Sequence, residues 1–100
     1  MTNEEVAATF EELADLLQAR KELPFKYRAY RKAAMAFRQL PVPIEQYRRE
    51  HDLREIPGVG EAIAKKVNDL LDTGSFRLLN ELRAAQRAGD GDAMGGRSSS

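Results

Sequence analysis

Residues 56–74 read IPGVGEAIAKKVNDLLDTG, and this stretch decides the fold. Two glycines, Gly58 and Gly60, bracket Val59 just before an apolar-periodic segment. Glycine permits a positive φ and leaves no side chain over the backbone. A helix that ends before these glycines and restarts directly after them forms a tight hairpin, with Val59 turned inward. The amides of this turn and of the next helical turn are then free, which suits a phosphate.

The pattern of an apolar residue, PGVG and then xxIAxK resembles the helix-hairpin-helix motif, which holds the DNA backbone without reading its sequence. The resemblance implies that Gly58, Val59 and Gly60 contact a DNA phosphate. Contacts to the backbone position a protein but carry no base information. Two glycines in a turn, taken alone, also fit a plain loop between helices.

Helical periodicity continues on both sides of the hairpin. A first helix is predicted over about 3–19, capped by Thr2 or Asn3, and a second over about 25–40. Gly74 is placed to end the helix after the hairpin, and a last helix is predicted from about Phe76 to Arg87. Alternating strand patterns are missing. The sequence therefore predicts an all-α fold, a compact bundle of four main helices plus short helical turns.

The composition changes from Gly89 onward to GDGDAMGGRSSS. Glycine, serine and aspartate without apolar spacing cannot bury a core. We therefore expect one domain over residues 1–88 and a disordered tail over 89–100.

Composition excludes several classes of site. The chain has no cysteine, and its one histidine, His51, makes a multi-histidine metal site improbable. No apolar run approaches ~18 residues, so no membrane partner is expected, and a cytoplasmic location fits.

Net charge is zero, but the charges are unevenly distributed. Residues 1–19 carry five acids and no base, a sum of −5, whereas residues 20–54 carry ten bases and four acids, a sum of +6. A concentrated basic segment is typical of nucleic-acid binding, although it also fits a solvated helix face.

Two segments together resemble the amino-terminal lyase domain of family X DNA polymerases, the DNA polymerase beta family. They are PFKYRAYRKAA at 24–34 and the hairpin segment at 56–74, and the resemblance covers about residues 3–83. It implies a helix-hairpin-helix domain that binds gapped or nicked duplexes and 5′-phosphate ends in DNA repair. The polymerase palm and its metal-binding aspartates are not in this sequence, so we expect a free-standing domain or a fragment. A polymerase or nuclease domain supplied elsewhere is then a natural partner.

The resemblance also assigns residues. It implies that Lys66 is the nucleophile that forms a Schiff base with a deoxyribose phosphate, that Lys26, Tyr30 and Arg54 hold the 5′-phosphate, and that Arg77 occupies a basic position. The helical wheel independently puts Lys66 at the edge of the buried face and Lys65 opposite it, in water. Lys65 and Arg31, which lies on the polar face of the second helix, are further candidates for contacts to the DNA backbone.

Three positions depart from that family's pattern. Ala62 stands where it has a second pocket lysine, Phe25 where it has a histidine, and Lys65 where it has a glutamate. Fewer cationic groups predict weaker phosphate binding with a lower salt dependence.

No cofactor is expected to be required. The resemblance also implies a monovalent-cation site, in which the backbone carbonyls of Arg54, Ile56 and Val59 coordinate Na⁺ or K⁺. Three functions stay open at this point. The first is sequence-nonspecific DNA binding, the second is a deoxyribose-phosphate or abasic-site lyase, and the third is a protein-interaction helical domain.

Overall fold

The computed structural model describes the backbone of residues 1–95 and the side-chain surroundings of residues 1–89. Within these residues every regular element is helical, which confirms the predicted all-α fold. The five α-helices are α1 (Asn3–Ala19), α2 (Pro24–Arg38), α3 (Ile44–Glu50), α4 (Glu61–Thr73) and α5 (Arg77–Gly95), and a 3-10 turn spans Leu53–Glu55. None of the described helices is long and apolar enough to cross a membrane.

Helix α1 begins with a capping box. The hydroxyl of Thr2 accepts the Glu5 amide at 3.0 Å, and the Glu5 carboxylate accepts the Thr2 amide at 2.7 Å. Two amide donors at the helix start are thereby satisfied. Asn3, the other predicted cap, instead donates to the Val42 carbonyl at 2.9 Å and accepts the Ile44 amide at 2.7 Å. It ties the start of α1 to the start of α3.

The core is centred on Phe10 of α1, which is fully buried. Its ring lies 5.4 Å from the ring of Phe37, 5.7 Å from that of Phe76 and 6.0 Å from that of Tyr30, measured between centroids. Helices α1 and α2 and the segment that precedes α5 therefore meet at one residue. The predicted core positions Val6, Leu13 and Leu17 are also buried.

Helices α1 and α2 run antiparallel and are joined by ion pairs. Arg38 near the end of α2 contacts Glu4 at 2.9 Å and Glu11 at 3.0 Å, and Arg31 contacts Glu11 at 3.0 Å and Asp15 at 2.9 Å. The acidic first helix therefore neutralises two arginines of the basic segment. The sum of +6 predicted for residues 20–54 overstates the positive charge that this segment presents to solvent.

Helix α4 ends as predicted at Gly74, whose φ is +88° and whose amide donates to the Leu70 carbonyl at 2.8 Å. Helix α5 starts at Arg77 and continues to Gly95, beyond the predicted end near Arg87. Glycine weakens a helix by about 1 kcal/mol per residue but does not block it, and this stretch contains no proline. The predicted division at residue 88 stays a prediction, and residues 96–100 of the expected tail lie outside the described residues.

Candidate nucleic-acid interface

The hairpin between the 3-10 turn and α4 is a tight reverse turn. The Val59 amide donates to the Ile56 carbonyl at 3.0 Å. Pro57 and Gly58 occupy the two central positions, and Gly58 has a φ of +87°, as a type II turn requires. Ile56 and Val59 are both buried in the core, so the prediction that Val59 points inward is confirmed. Two apolar anchors thus hold the turn in place.

Gly60 serves a different purpose from Gly58. Its φ of −93° and ψ of −171° are extended backbone, so it does not use the positive φ that glycine permits. A Cβ built on it would meet no atom within 4 Å. Gly60 is the N-cap of α4 and provides no side-chain cap for the helix. Its contribution is to leave the first turn of α4 uncovered.

Five backbone amides cluster at this uncovered end. Within the described part of the chain, the amides of Gly58, Gly60, Glu61, Ala62 and Ile63 donate to no acceptor, and the first helical bond of α4 runs from Ala64 to Gly60 at 2.9 Å. Free amides at a helix start carry a partial positive charge. Their arrangement suits an anion that reaches them from solvent.

A family model described as a helix-hairpin-helix domain matches residues 1–76. This chain belongs to the helix-hairpin-helix domain family. The match covers α1 to α4 and therefore the complete hairpin. Helix-hairpin-helix domains are generally associated with DNA binding. The matched family is broader than the lyase domain of family X polymerases.

The helix-hairpin-helix domain has a cleft of about 850 Å³ next to its hairpin. Lys26 and Tyr30 of α2 line this cleft together with Gly58 and Gly60, so the structure brings these four predicted site residues together. Most of the remaining lining is apolar, and Ala62 is part of it. The Lys26 ammonium is paired with Glu22 at 3.1 Å. The remaining ionic residues of the cleft are Arg20, Glu61 and Glu81.

The two adjacent lysines of α4 differ in their surroundings. Lys65 is 78% exposed and its ammonium lies 3.7 Å from the Asp69 carboxylate. Lys66 is half-buried, and its Nζ lies 5.8 Å from the centroid of the Tyr30 ring, within range of a cation–π contact. Lys66 does not itself line the cleft, but Tyr30 does, so Lys66 lies next to the cleft with Tyr30 between.

The three predicted arginines are all ion-paired. Arg31 donates to Gln18 at 2.7 Å and is also paired with Glu11 and Asp15. All three partners lie on α1, so the guanidinium of Arg31 is used in contacts between α1 and α2. Arg54 is paired with Asp52 at 2.7 Å, and its hydrogen bonds lower the pKa of Asp52 to about 2. Arg77 is 91% exposed and paired with Glu81 at 3.1 Å. Arg54 and Arg77 are exposed, so a phosphate can compete with their carboxylate partners.

Lys32 is a residue at the hairpin that the sequence did not indicate. Its Cγ, Cδ and Cε atoms lie 3.2, 3.4 and 3.5 Å from the position of a Cβ built on Gly58. The stem of Lys32 therefore runs along the face of Gly58. Periodicity assigns Lys32 only to the polar side of α2, and the contact depends on how α2 packs against the hairpin. No local sequence signal reports that packing.

The predicted cation ligands are available to different extents. The Ile56 carbonyl accepts the Val59 amide, whereas the carbonyls of Arg54 and Val59 accept no hydrogen bond within the described part of the chain. No group of three or more His, Cys, Asp or Glu side chains that could hold a metal ion occurs among the described residues.

Proposed function

We propose that this helix-hairpin-helix domain binds DNA without sequence preference, at gapped, nicked or 5′-phosphate ends, in DNA repair. The observation that carries the proposal is the set of free amides at the start of α4, beside a glycine turn. Amide donors reach phosphate oxygens and not the base edges in the grooves, so binding by this route is independent of sequence. The family match supports DNA as the polymer that supplies the phosphate.

The preference for DNA ends rests on the cleft beside the hairpin. Lys26 and Tyr30 offer a cation and a hydroxyl in the same cleft as Gly58 and Gly60. Phe25 lines the same cleft and is 67% exposed, so its ring is available to stack on an unpaired base. A terminal or unpaired nucleotide can enter such a cleft, whereas a nucleotide stacked within an intact duplex cannot.

A monovalent cation is part of the same proposal. The carbonyls of Arg54, Ile56 and Val59 would hold Na⁺ or K⁺, and a DNA phosphate would complete its coordination. Oxygen ligands are the donors that such hard cations prefer. Binding should then be tighter in potassium chloride than in tetramethylammonium chloride of equal ionic strength. Equal affinity in the two salts would remove the cation from the proposal.

Replacing Glu61 by proline tests the amides directly. Glu61 is the first residue of α4, where proline is tolerated because this amide has no partner within the helix. Gly60 before it is already extended, as the residue before a proline must be. We expect Glu61→Pro to bind a gapped duplex at least about tenfold more weakly than Glu61→Ala. A hydrogen bond to a charged group contributes about 1.5–3 kcal/mol.

The alanine variant is the matched control, because both changes remove the same carboxylate. Fluorescence anisotropy with labelled duplexes measures the affinities, and equal melting temperatures show that both variants fold. Equal affinity of the two variants would contradict a role for the Glu61 amide. Equal affinity of the parent protein for intact and gapped duplexes would contradict the preference for ends. No DNA binding at low salt would overturn the proposal and favour a protein-interaction domain.

A second candidate function is a deoxyribose-phosphate lyase with Lys66 as nucleophile. Lys66 is half-buried beside Tyr30 and has no acidic partner among the described residues, unlike Lys65. Its amine would add to the C1′ aldehyde and lose water to form an imine. Loss of the C2′ proton to a base then breaks the C3′–O bond and releases the strand with a 5′-phosphate. Water finally hydrolyses the imine and restores the amine. Borohydride reduces the imine to a stable cross-link, so trapping on pre-incised abasic DNA tests this activity.

A further inference from the structure

The stem of Lys32 keeps its ammonium group close to the hairpin. Three consecutive carbons of the side chain follow Gly58 at 3.2 to 3.5 Å from its Cβ position. The Nζ is one bond beyond Cε, so it lies at most about 5 Å from that position. An ordinary surface lysine samples many rotamers, and this freedom must be lost when it binds a ligand. Packing against the glycine reduces that cost in advance.

In the folded chain several cations of α2 are paired with carboxylates, but the charge of Lys32 is not. Lys26, Arg31 and Arg38 each contact a carboxylate of α1 or of the α1–α2 turn. Lys32 is exposed and has no ion pair among the described residues. Arg28 is likewise exposed and unpaired among the described residues, but Lys32 is the cation of α2 whose stem packs against the hairpin glycine Gly58.

From this geometry we infer that the ammonium of Lys32, which lies on α2 and not in the hairpin, contacts a DNA phosphate bound at the hairpin. The inference rests on the proposed function and extends it, because the contact comes from α2. A lysine ammonium carries three donors and can bind a phosphate oxygen from several directions. The free amides of α4 and the ammonium of Lys32 then form one phosphate-binding surface that two helices build. Gly58 makes this surface by leaving room for the lysine stem.

The salt dependence of binding measures this contact. Each phosphate contact contributes about 0.9 to the slope of log K against log salt concentration for duplex DNA. We expect Lys32→Met, which keeps the stem and removes the charge, to reduce that slope by about 0.9. The same relation makes binding roughly eightfold weaker at 0.1 M salt. Anisotropy titrations with a gapped duplex at four or more salt concentrations give both quantities.

Lys21→Met is the matched control. Lys21 lies in the turn between α1 and α2, and its replacement changes the net charge by the same amount. A slope that falls for Lys32→Met and not for Lys21→Met supports the contact. Equal slopes for the two variants overturn it, even where Glu61→Pro still weakens binding and the proposed function stands. A parent protein that does not bind DNA overturns both. Equal melting temperatures of the variants exclude misfolding as the cause.

Discussion

Replacing Phe10 by alanine is expected to lower the free energy of unfolding by about 3–5 kcal/mol. The side chain is fully buried, and its ring contacts the rings of Phe37, Phe76 and Tyr30. Truncation removes the apolar area from the core and leaves a cavity that α1, α2 and the start of α5 border. A domain of this size has only about 5–15 kcal/mol of stability in total, so the loss is a large share of it.

Urea titration followed by circular dichroism measures this loss, and a thermal melt should show a midpoint lower by more than about 12 °C. Met35→Ala is the control, because Met35 lies on the same pair of packed helices but is 60% exposed. Its unfolding free energy should change by no more than about 0.5 kcal/mol. A loss below about 1 kcal/mol for Phe10→Ala would mean that the aromatic cluster does not hold the helices together.

Local features of the fold could be predicted because their causes lie within a few residues of one another. The cap at Thr2 needs only Glu5 three residues later, and the left-handed end of α4 needs only Gly74. The inward position of Val59 follows from its place between two glycines. Such features can be predicted from neighbouring residues alone, without knowing which helices pack together.

The candidate site was predicted less completely because it depends on contacts between helices. Arg31 and Lys32 are adjacent on the polar side of α2, and the sequence favoured Arg31 as a DNA contact. In the structure Arg31 faces the carboxylates of α1 while the Lys32 stem crosses Gly58. Neighbouring residues on a helix point about 100° apart, so Arg31 and Lys32 face different elements of the fold. Periodicity separates the polar from the apolar face of a helix, but it does not say what lies opposite each polar residue.

The charge distribution shows the same limit. Sums along the chain predicted a strongly basic segment, yet the acids of α1 pair with Arg31 and Arg38 once the helices pack. The useful quantity for binding is the charge that remains after such pairing. Among the described residues near the hairpin, Lys26, Arg54 and Lys65 are paired with carboxylates. Lys32, Lys66 and Arg20 of the cleft have no carboxylate partner in this part of the chain.

Lys66→Ala is expected to abolish the borohydride cross-link to pre-incised abasic DNA, while Lys65→Ala retains it. Only an amine that reaches the C1′ aldehyde can form the imine that borohydride reduces. Lys66 is held beside Tyr30 at the edge of the cleft, whereas Lys65 is exposed and paired with Asp69. The two lysines are neighbours on one helix, so either replacement removes the same charge from the same region.

Lys66→Arg separates chemistry from binding, because arginine keeps the positive charge beside Tyr30 but does not form the imine at neutral pH. We expect it to bind gapped DNA about as well as the parent protein and to give no cross-link. Trapping by Lys66→Arg at the parent level would assign the nucleophile to another amine, with Lys26 of the cleft the first to test. A parent protein that binds gapped DNA and never cross-links would contradict the lyase. The domain would then be a DNA-binding module in which Lys66 contributes charge and covers the Tyr30 ring.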